Sequence, residues 1–500
     1  MTSLLNLISA VNISDWIISF IGFISILVFL FSVEIGLKYF NISQLYTRKF
    51  IHIITGLILC VVAFYLQSNL PIILFSLLYV TIDLWALRKG KFKSIHPDRH
   101  SFGTLFYALS VFILALIFWS ELKSLFIITN LLMIIPDAMA ALVGEQYAKA
   151  YFNPLTEKKS VIGMVTMFLL TELIIISALI LFYQRSVMEV TLIALTVGII
   201  ATVSELLSIR GSDNLSVPMF SALYLYAFLG TNSQNIFVPL VVGTFASTLI
   251  AYLSYKLKFL DSGGSMLVIL MGGIIFGFGG TAYVFPILLF YITSSILSKI
   301  GNTRKKRIED SYQKTGVRDF FQVLANGGVA TIIVLLNHFT DSDLLYSAYI
   351  VSIAAATADT WGTELGIYSK ERPRLVSTFA AVAPGTSGAV SAIGSLASLL
   401  GSILIVSSSL FFIGYNPETL LLMIFCGYFG GLVDSIIGAT IQCQYRCPVC
   451  QQITESKIHC QQTTVWQKGS IFIDNDVVNI LSISIATFLF FILFMIRGSV

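Results

Sequence analysis

Long apolar stretches alternate with short polar ones along the whole chain. In the first half the apolar runs lie near 16–38, 48–66, 70–88, 102–119, 124–149, 160–183, 188–208 and 217–230. In the second half they lie near 235–257, 264–281, 282–299, 318–338, 344–368, 385–412, 418–440 and 478–496. Most approach the ~20 residues that a helix needs to cross a bilayer. Within hydrocarbon each backbone N–H and C=O must be satisfied inside the segment, so such runs predict helices. The expectation is an all-α polytopic membrane protein with roughly 15–16 transmembrane helices in two tandem bundles. The residues ahead of the first run, MTSLLNLISAVNISDW, lack a basic segment and a small-residue cleavage site, so that run reads as a retained anchor.

Composition excludes the alternative of a soluble protein: hydrophobic residues make up 56% of the chain and charged ones 11%, against about 25% charged in soluble domains. The net charge of +4 becomes informative once the charges are placed on loops. In the first half Lys38, Arg48, Lys49, Arg88, Lys89, Lys91, Lys93, Arg99, Lys149, Lys158, Lys159 and Arg210 thread to one side, against Lys123 and Arg185 on the other. In the second half Lys256, Lys258, Lys299, Arg304, Lys305, Lys306, Arg307, Arg318, Lys370, Arg372 and Arg374 collect on that same side. The positive-inside rule makes the crowded side cytoplasmic and gives the two bundles a like orientation. The reading is a multi-pass protein of a prokaryotic plasma membrane with its sites facing the cytoplasm.

Against this background the polar residues stand out. Asp137 lies in an apolar run and is followed by Gly144 and by the loop residues Lys158, Lys159, Ser160 and Gly163. A carboxylate inside a membrane span is costly and marks a functional site by default. Carboxylates for magnesium, with lysine and amide donors for phosphates, are what phosphoryl transfer requires. Upstream, YTRKFIHIITG places Arg48 and His52 on one helical face, as interfacial anchors or as ligands of an anion. The basic loop before the fourth run brings Arg99, Ser101 and Gly103 to a helix start, where free amides favour phosphate. Glu205, Asp213 and Asn214 surround a turn on the same side.

The segments RKFIHIITG, DRHSFG, DAMAALVGEQYA with EKKSVIG, and ELLSIRGSDNLSVP resemble, in order, those of the phytol kinase and dolichol kinase family. Ala148 departs from a second glycine frequent there. The resemblance covers about residues 45–230 and implies CTP-dependent phosphorylation of an isoprenoid alcohol.

The second half repeats the order. ATADTWGTELG sets Asp359 in an apolar run with Glu364 and Gly366 after it. PGTSGAVS then offers Gly385, Thr386, Ser387 and Gly388 as a hydroxyl and amide nest for an anion. Arg318 opens the preceding span, and Asp434, Asn475 and Asp476 parallel Glu205 and the Asp213–Asn214 pair. LKFLDSGGS, ATADTWGTELG, APGTSGAVS, GLVDSIIGATIQ and IDNDVVNILS resemble a separate membrane family that includes the chloroplast phytyl-phosphate kinases. That implies addition of a second phosphate to an isoprenyl monophosphate. Between them, the loop 443–460 carries Cys447, Cys450, His459 and Cys460 at zinc-knuckle spacing, with Cys443 as an alternative fourth ligand.

The combined expectation is a bifunctional isoprenoid salvage kinase, with an alcohol kinase domain at 1–231 and an isoprenyl-phosphate kinase domain at 232–500. Phytol, geranylgeraniol or farnesol would pass to the monophosphate and then the diphosphate. Asp137 would bind Mg2+ or act as base, with Glu205 as a further metal ligand. Arg48, His52, Arg99, Ser101, Lys158, Lys159, Ser160, Gly163 and the Asp213–Asn214 turn would hold the nucleotide phosphates. In the second site Asp359 and Glu364 would take the metal and base roles. Arg318 and Gly385 to Gly388 would bind phosphate, and Asp434, Asn475 and Asp476 would support the metal. The partners are isoprenoid substrates, CTP and membrane lipids, with no nucleic acid, and a structural Zn2+ completes the cofactors. Two rivals use similar residues: a CTP-dependent lipid-phosphate cytidylyltransferase, and a secondary transporter built from two related halves.

Overall fold

The structure, a computed structural model, describes residues 12–39, 44–89, 102–230, 233–299 and 317–498. Among them are sixteen helices, which we number α1 (Ile13–Tyr39), α2 (Gln44–Tyr65), α3 (Leu70–Lys89), α4 (Gly103–Ile117), α5 (Trp119–Tyr147), α6 (Val161–Phe182), α7 (Val187–Leu206), α8 (Asp213–Leu229), α9 (Ser233–Lys256), α10 (Ser262–Gly279), α11 (Thr281–Lys299), α12 (Phe320–Thr340), α13 (Asp343–Gly366), α14 (Ala392–Ser409), α15 (Pro417–Thr440) and α16 (Asn475–Gly498). Twelve of the described helices are long and apolar enough to cross a membrane, and α3 and α4 contain shorter apolar helices. The protein is an all-α polytopic membrane protein, as its hydropathy predicts.

Two compact units form, Met1–Phe245 and Ala246–Val500, so that the division falls inside α9. In the first unit α5 and α7 are the most enclosed of the membrane-length helices. Their polar side chains are kept inside by bonding the preceding turn: Thr129 Oγ1 donates to Leu125 O at 2.9 Å and Ser204 Oγ to Ile200 O at 2.7 Å. In the second unit α13 is the central rod, with every residue from Tyr346 to Ala358 buried. A helix enclosed all round needs small side chains where neighbours approach. Ala354 and Ala355 supply them: a Cβ added at Gly427 or Gly430 of α15 would come within 2.7 Å and 2.6 Å of their methyl groups.

In each unit one helical pair is joined by a two-residue antiparallel ladder. Between α5 and α6, β1 (Tyr151–Phe152) pairs with β2 (Lys159–Ser160). Between α13 and α14, β3 (Arg374–Leu375) pairs with β4 (Ala389–Val390). The helix expected from residue 385 therefore begins only at Ala392. Gly385 and Gly388 carry φ of +88° and +76°, which turns the chain before the helix can start.

Candidate functional site

The first unit gathers its charges where the start of α2, the end of α7 and the start of α8 meet the interior of α5. Asp137 on α5 is buried and accepts a hydrogen bond from Lys49 Nζ of α2 at 2.7 Å. Lys159, the first residue of β2, donates to Glu205 Oε1 and to Ser208 Oγ, both at 2.9 Å. Burial works against the Lys159 ammonium, but Glu205 and Asp213 outweigh it and hold its pKa above the ordinary lysine value. Asp213 opens α8 after a turn in which Arg210 and Gly211 take φ of +53° and +88°. Glu157 holds that turn by accepting the Arg210 backbone N–H at 2.6 Å. Burial, with the field of Asp137 behind it, pushes the Asp213 carboxyl up to about 7.

These placements put one carboxylate oxygen each from Asp137, Glu205 and Asp213 within 4.8 Å of one another. An octahedral cation with bonds of about 2.1 Å spaces its ligands roughly 3.0–4.2 Å apart, so small side-chain adjustments suffice to share one ion. Ser160 caps α6 by accepting the Gly163 N–H at 3.0 Å. Gly144 and Gly163 let α5 and α6 meet around that cap, since a Cβ on either would fall within 2.6 Å of Ser160 Oγ.

An elongated cavity of about 370 Å³ leads away from the charged cluster between α1, α2, α3 and α4. Arg48, Lys49, Asp137 and Asp213 line its polar end, and apolar side chains such as Leu27, Val62, Ile72 and Phe75 line the rest. Lys49 and Val62 are separated by about 20 Å of helix at 1.5 Å per residue. Just below the charges, His52 and Tyr107 face each other with ring centroids 5.6 Å apart. Among the described residues His52 Nε2 and Tyr107 Oη are buried without a hydrogen-bond partner, and both residues line the cavity.

The second unit repeats the local geometry with different charges. Asp359 and Gly366 lie on α13 at the same seven-residue spacing as Asp137 and Gly144 on α5. Ser391 caps α14 by accepting the Gly394 N–H at 3.1 Å, as Ser160 does for α6. A Cβ on Gly163 would meet Ala140 O at 2.9 Å, and one on Gly394 would meet Gly362 O at 2.9 Å. A cleft of about 220 Å³ opens beside this cap, lined by Asp359, Glu364, Asp434, Glu455, Asn475 and the Pro384–Gly388 turn. No lysine or arginine is among its described lining residues. Glu364 accepts from Ser298 Oγ at 2.9 Å, and Asp434 from Ser482 Oγ at 3.3 Å.

Most residues singled out in the sequence therefore lie at one of the two sites. Asn214 donates from Nδ2 to Gly103 O at 3.0 Å and lines the first cavity with Asp213. Arg48 is exposed at its mouth. Lys158 stacks on the Tyr151 ring at 4.0 Å instead of joining Lys159. Arg99 and Ser101 lie outside the described residues. Arg318 does not line the second cleft. Its backbone bonds Phe259 and Asp261, and its guanidinium lies 5.9 Å from the ring centroids of both Phe290 and Tyr291. Burial lowers its pKa, with Tyr291 and Glu364 opposing. Thr386, Ser387 and both turn glycines line the cleft, as does Asn475, whereas Asp476 sits in the first turn of α16 outside it. Cys447, Cys450, His459 and Cys460 bring their ligand atoms within 4.8 Å of one another.

Beyond the residues singled out in the sequence, the two sites draw on Glu157, Ser208, Ser391, Gly394 and Glu455, and on Lys49, which the sequence marks only as one of the basic residues opening α2. Lys49 adjoins Arg48, and only the packing of α2 on α5 reveals which of the two meets Asp137. The Ser–x–x–Gly spacing at Ser160 and Gly163 recurs at Ser391 and Gly394 and is the sequence signal of the second cap.

The family described as integral membrane protein DUF92 matches residues 245–487. "Protein PGR" of Arabidopsis thaliana is 32% identical over 275 residues, covering 50% of this chain and 94% of that protein. "Phytol kinase" of Synechocystis sp. is 37% identical over 130 residues, or 26% of this chain and 55% of that protein. "Protein VTE6, chloroplastic" of Arabidopsis thaliana is 23% identical over 233 residues, 46% of this chain and 63% of that protein. No solved structure matches.

Proposed function

The chain belongs to the integral membrane protein DUF92 family, and from that premise we propose that it is an isoprenoid kinase whose two units act in sequence. The first would convert an isoprenoid alcohol to its monophosphate, with CTP as donor, and the second would convert the monophosphate to the diphosphate. The observation that carries this reading is the union of a buried acid–lysine cluster with a long apolar cavity leading from it. Such a cavity suits a branched hydrocarbon tail, and the cluster suits a phosphoryl group. The similarity to a protein named phytol kinase supports the same assignment.

In the first site the tail would lie along α1, α2 and α3 with its hydroxyl at His52 and Tyr107. The alcohol oxygen attacks the terminal phosphorus of the nucleotide, the bond from that phosphorus to the bridging oxygen breaks, and nucleoside diphosphate leaves. Asp137 is held in an ion pair with Lys49 and is a poor proton acceptor, so His52 Nε2 would take the hydroxyl proton. Lys159 and the amides at the start of α6 would hold the donor phosphates. Asp137, Glu205 and Asp213 would hold magnesium, which when bound neutralises phosphate charge.

The second cleft keeps acids and has no lysine or arginine among its described lining residues. Asp359, Glu364 and Asp434 would bind metal there, and the Thr386–Ser387 turn with the Ser391 cap would receive phosphate.

The test is incubation of the purified full chain with labelled isoprenols, magnesium and each nucleoside triphosphate. Asp137→Ala is expected to lose monophosphate formation, and Asp359→Ala to accumulate monophosphate. His52→Ala should slow the first step by a factor of about 10²–10⁴ and spare the second. Equal loss of both steps in either aspartate variant refutes the division. Release of pyrophosphate from CTP in place of CDP would replace the kinase with a cytidylyltransferase.

A further inference from the structure

The segment between α15 and α16 folds as a small lobe of strands. We number these β5 (Gln444–Arg446), β6 (Ile453–Thr454), β7 (Ile458–His459), β8 (Gln462–Thr463) and β9 (Val465–Lys468); β5 lies between β6 and β9, and β7 pairs with β8. The lobe has no hydrophobic core of its own. From Gln444 to Lys468 the buried side chains are Gln444, Cys447, Thr454, Ser456 and Thr464, while Ile453, Ile458, Val465 and Trp466 are exposed. A lobe of this size without apolar burial needs a crosslink or a metal to hold its shape.

Two turns supply the means. Cys447 to Cys450 turns the chain from β5 toward β6, closed by the Gln451 N–H on Cys447 O at 3.0 Å. Cys460 and Gln461 join β7 to β8, both at positive φ, +50° and +60°. That is the type I′ geometry, where Asn and Gly are the usual residues and a cysteine is not favoured. His459 Nδ1 lies 3.5 Å from Cys450 Sγ and 3.4 Å from Cys460 Sγ. Zinc bonds of about 2.3 Å to sulfur and about 2.0 Å to nitrogen give a tetrahedron whose S···N edge is about 3.5 Å. Cys443, though buried, is not in the cluster.

The same lobe reaches the second cleft. Glu455, just after β6, lines that cleft and accepts a hydrogen bond from Ser387 Oγ at 2.5 Å. On its other side the turn carrying Ser387 is pressed against α15, where a Cβ on Gly388 would fall 2.3 Å from Ala439 N.

We propose that Cys447, Cys450, His459 and Cys460 bind one zinc ion, and that the lobe closed by this ion positions Glu455 to hold the Pro384–Gly388 turn against the second cleft. The ion sits apart from the reacting groups and acts through the placement of Glu455.

The test begins with metal analysis of the full chain, purified in detergent without a polyhistidine tag or chelator. One zinc per chain is expected, falling to near zero in Cys450→Ser/Cys460→Ser. Because that variant can misfold, cobalt is also exchanged into the unmodified chain, where thiolate-to-cobalt charge-transfer absorption is expected. No bound zinc together with no such absorption overturns the site. Amide hydrogen exchange over residues 384–391 is then compared before and after zinc removal. Faster exchange is expected on removal, and also in Glu455→Ala with its zinc retained. Unchanged exchange after zinc loss overturns the link to Glu455. Neither readout depends on turnover, so this proposal and the kinase assignment fail independently.

Discussion

Lys49 and Asp137 form an ion pair at 2.7 Å with side chains only 21% and 6% exposed, and removing one partner is energetically unlike removing both. Lys49→Met leaves a buried carboxylate without its cation, a change that costs about 3–5 kcal/mol, whereas Lys49→Met/Asp137→Leu removes the desolvated pair together. The expected outcome is a lowered thermal midpoint for the single variant and recovery of most of the loss in the double. Asp213 gives a second prediction, with a sign opposite to that of most carboxylates. Its folded pKa is raised to about 7, so between the unfolded value of about 3.9 and about 7 the folded state binds the extra proton. The stability this contributes is present at low pH and is lost as pH rises through about 7. Asp213→Asn mimics the protonated form throughout. Its advantage over the unmodified chain in thermal midpoint should therefore grow from about pH 5 to about pH 7 and stay level above, bounded by roughly 4 kcal/mol. A difference that does not vary with pH would contradict the assigned shift.

At the scale of elements, the helices are legible in the sequence because hydrocarbon imposes both length and composition on a span. The junctions between helices are less legible, because they depend on backbone geometry rather than on hydropathy. Order along the chain sets the PGTSG nest opposite the Lys159–Ser160 loop, yet the local geometry that matches Ser160 belongs to Ser391, four residues after Ser387. The difference arises because Gly385 and Gly388 turn the chain back and β4 intervenes before the cap. Its place at a helix start makes Arg318 a phosphate-ligand candidate in the sequence, but its contacts with Phe259, Asp261 and Tyr291 are made by folding and leave no trace in spacing. The caps themselves are testable. A Cβ on Gly163 or Gly394 would meet a backbone carbonyl at 2.9 Å, which cannot swing away as a side chain can. Gly163→Ala should cost about 1–3 kcal/mol in the first unit and Gly394→Ala a like amount in the second. Each should impair only its own step when the two product phosphates are measured separately. If Gly394→Ala slows only monophosphate formation, the correspondence between the caps is wrong.

Across the whole molecule the two units carry one local plan with different electrostatics, one balanced and one acidic, and the contrast yields the prediction that best separates their proposed roles. The described lining of the first cavity balances Arg48 and Lys49 against Asp137 and Asp213. The second cleft presents Asp359, Glu364, Asp434 and Glu455 with no lysine or arginine among its described lining residues. A phosphorylated acceptor and a nucleotide are both anions, and like charges brought together in a partly desolvated cleft repel strongly. In the first unit the proposed acceptor is an uncharged alcohol, and fixed cationic side chains stand beside the carboxylates that the nucleotide meets, so its demand for free cation should be met at low concentration. In the second unit, under the proposed assignment, divalent ions would offset that repulsion, and more than one carboxylate is available to hold them. At a constant concentration of magnesium–nucleotide complex, diphosphate formation should therefore require several-fold more free Mg2+ for half-maximal rate than monophosphate formation. Added chelator should make monophosphate accumulate before it stops the first step. Asp434→Asn should shift the magnesium dependence of the second step alone. Coincident magnesium dependences for the two steps would mean that the charge contrast between the clefts does not govern how their anions are held.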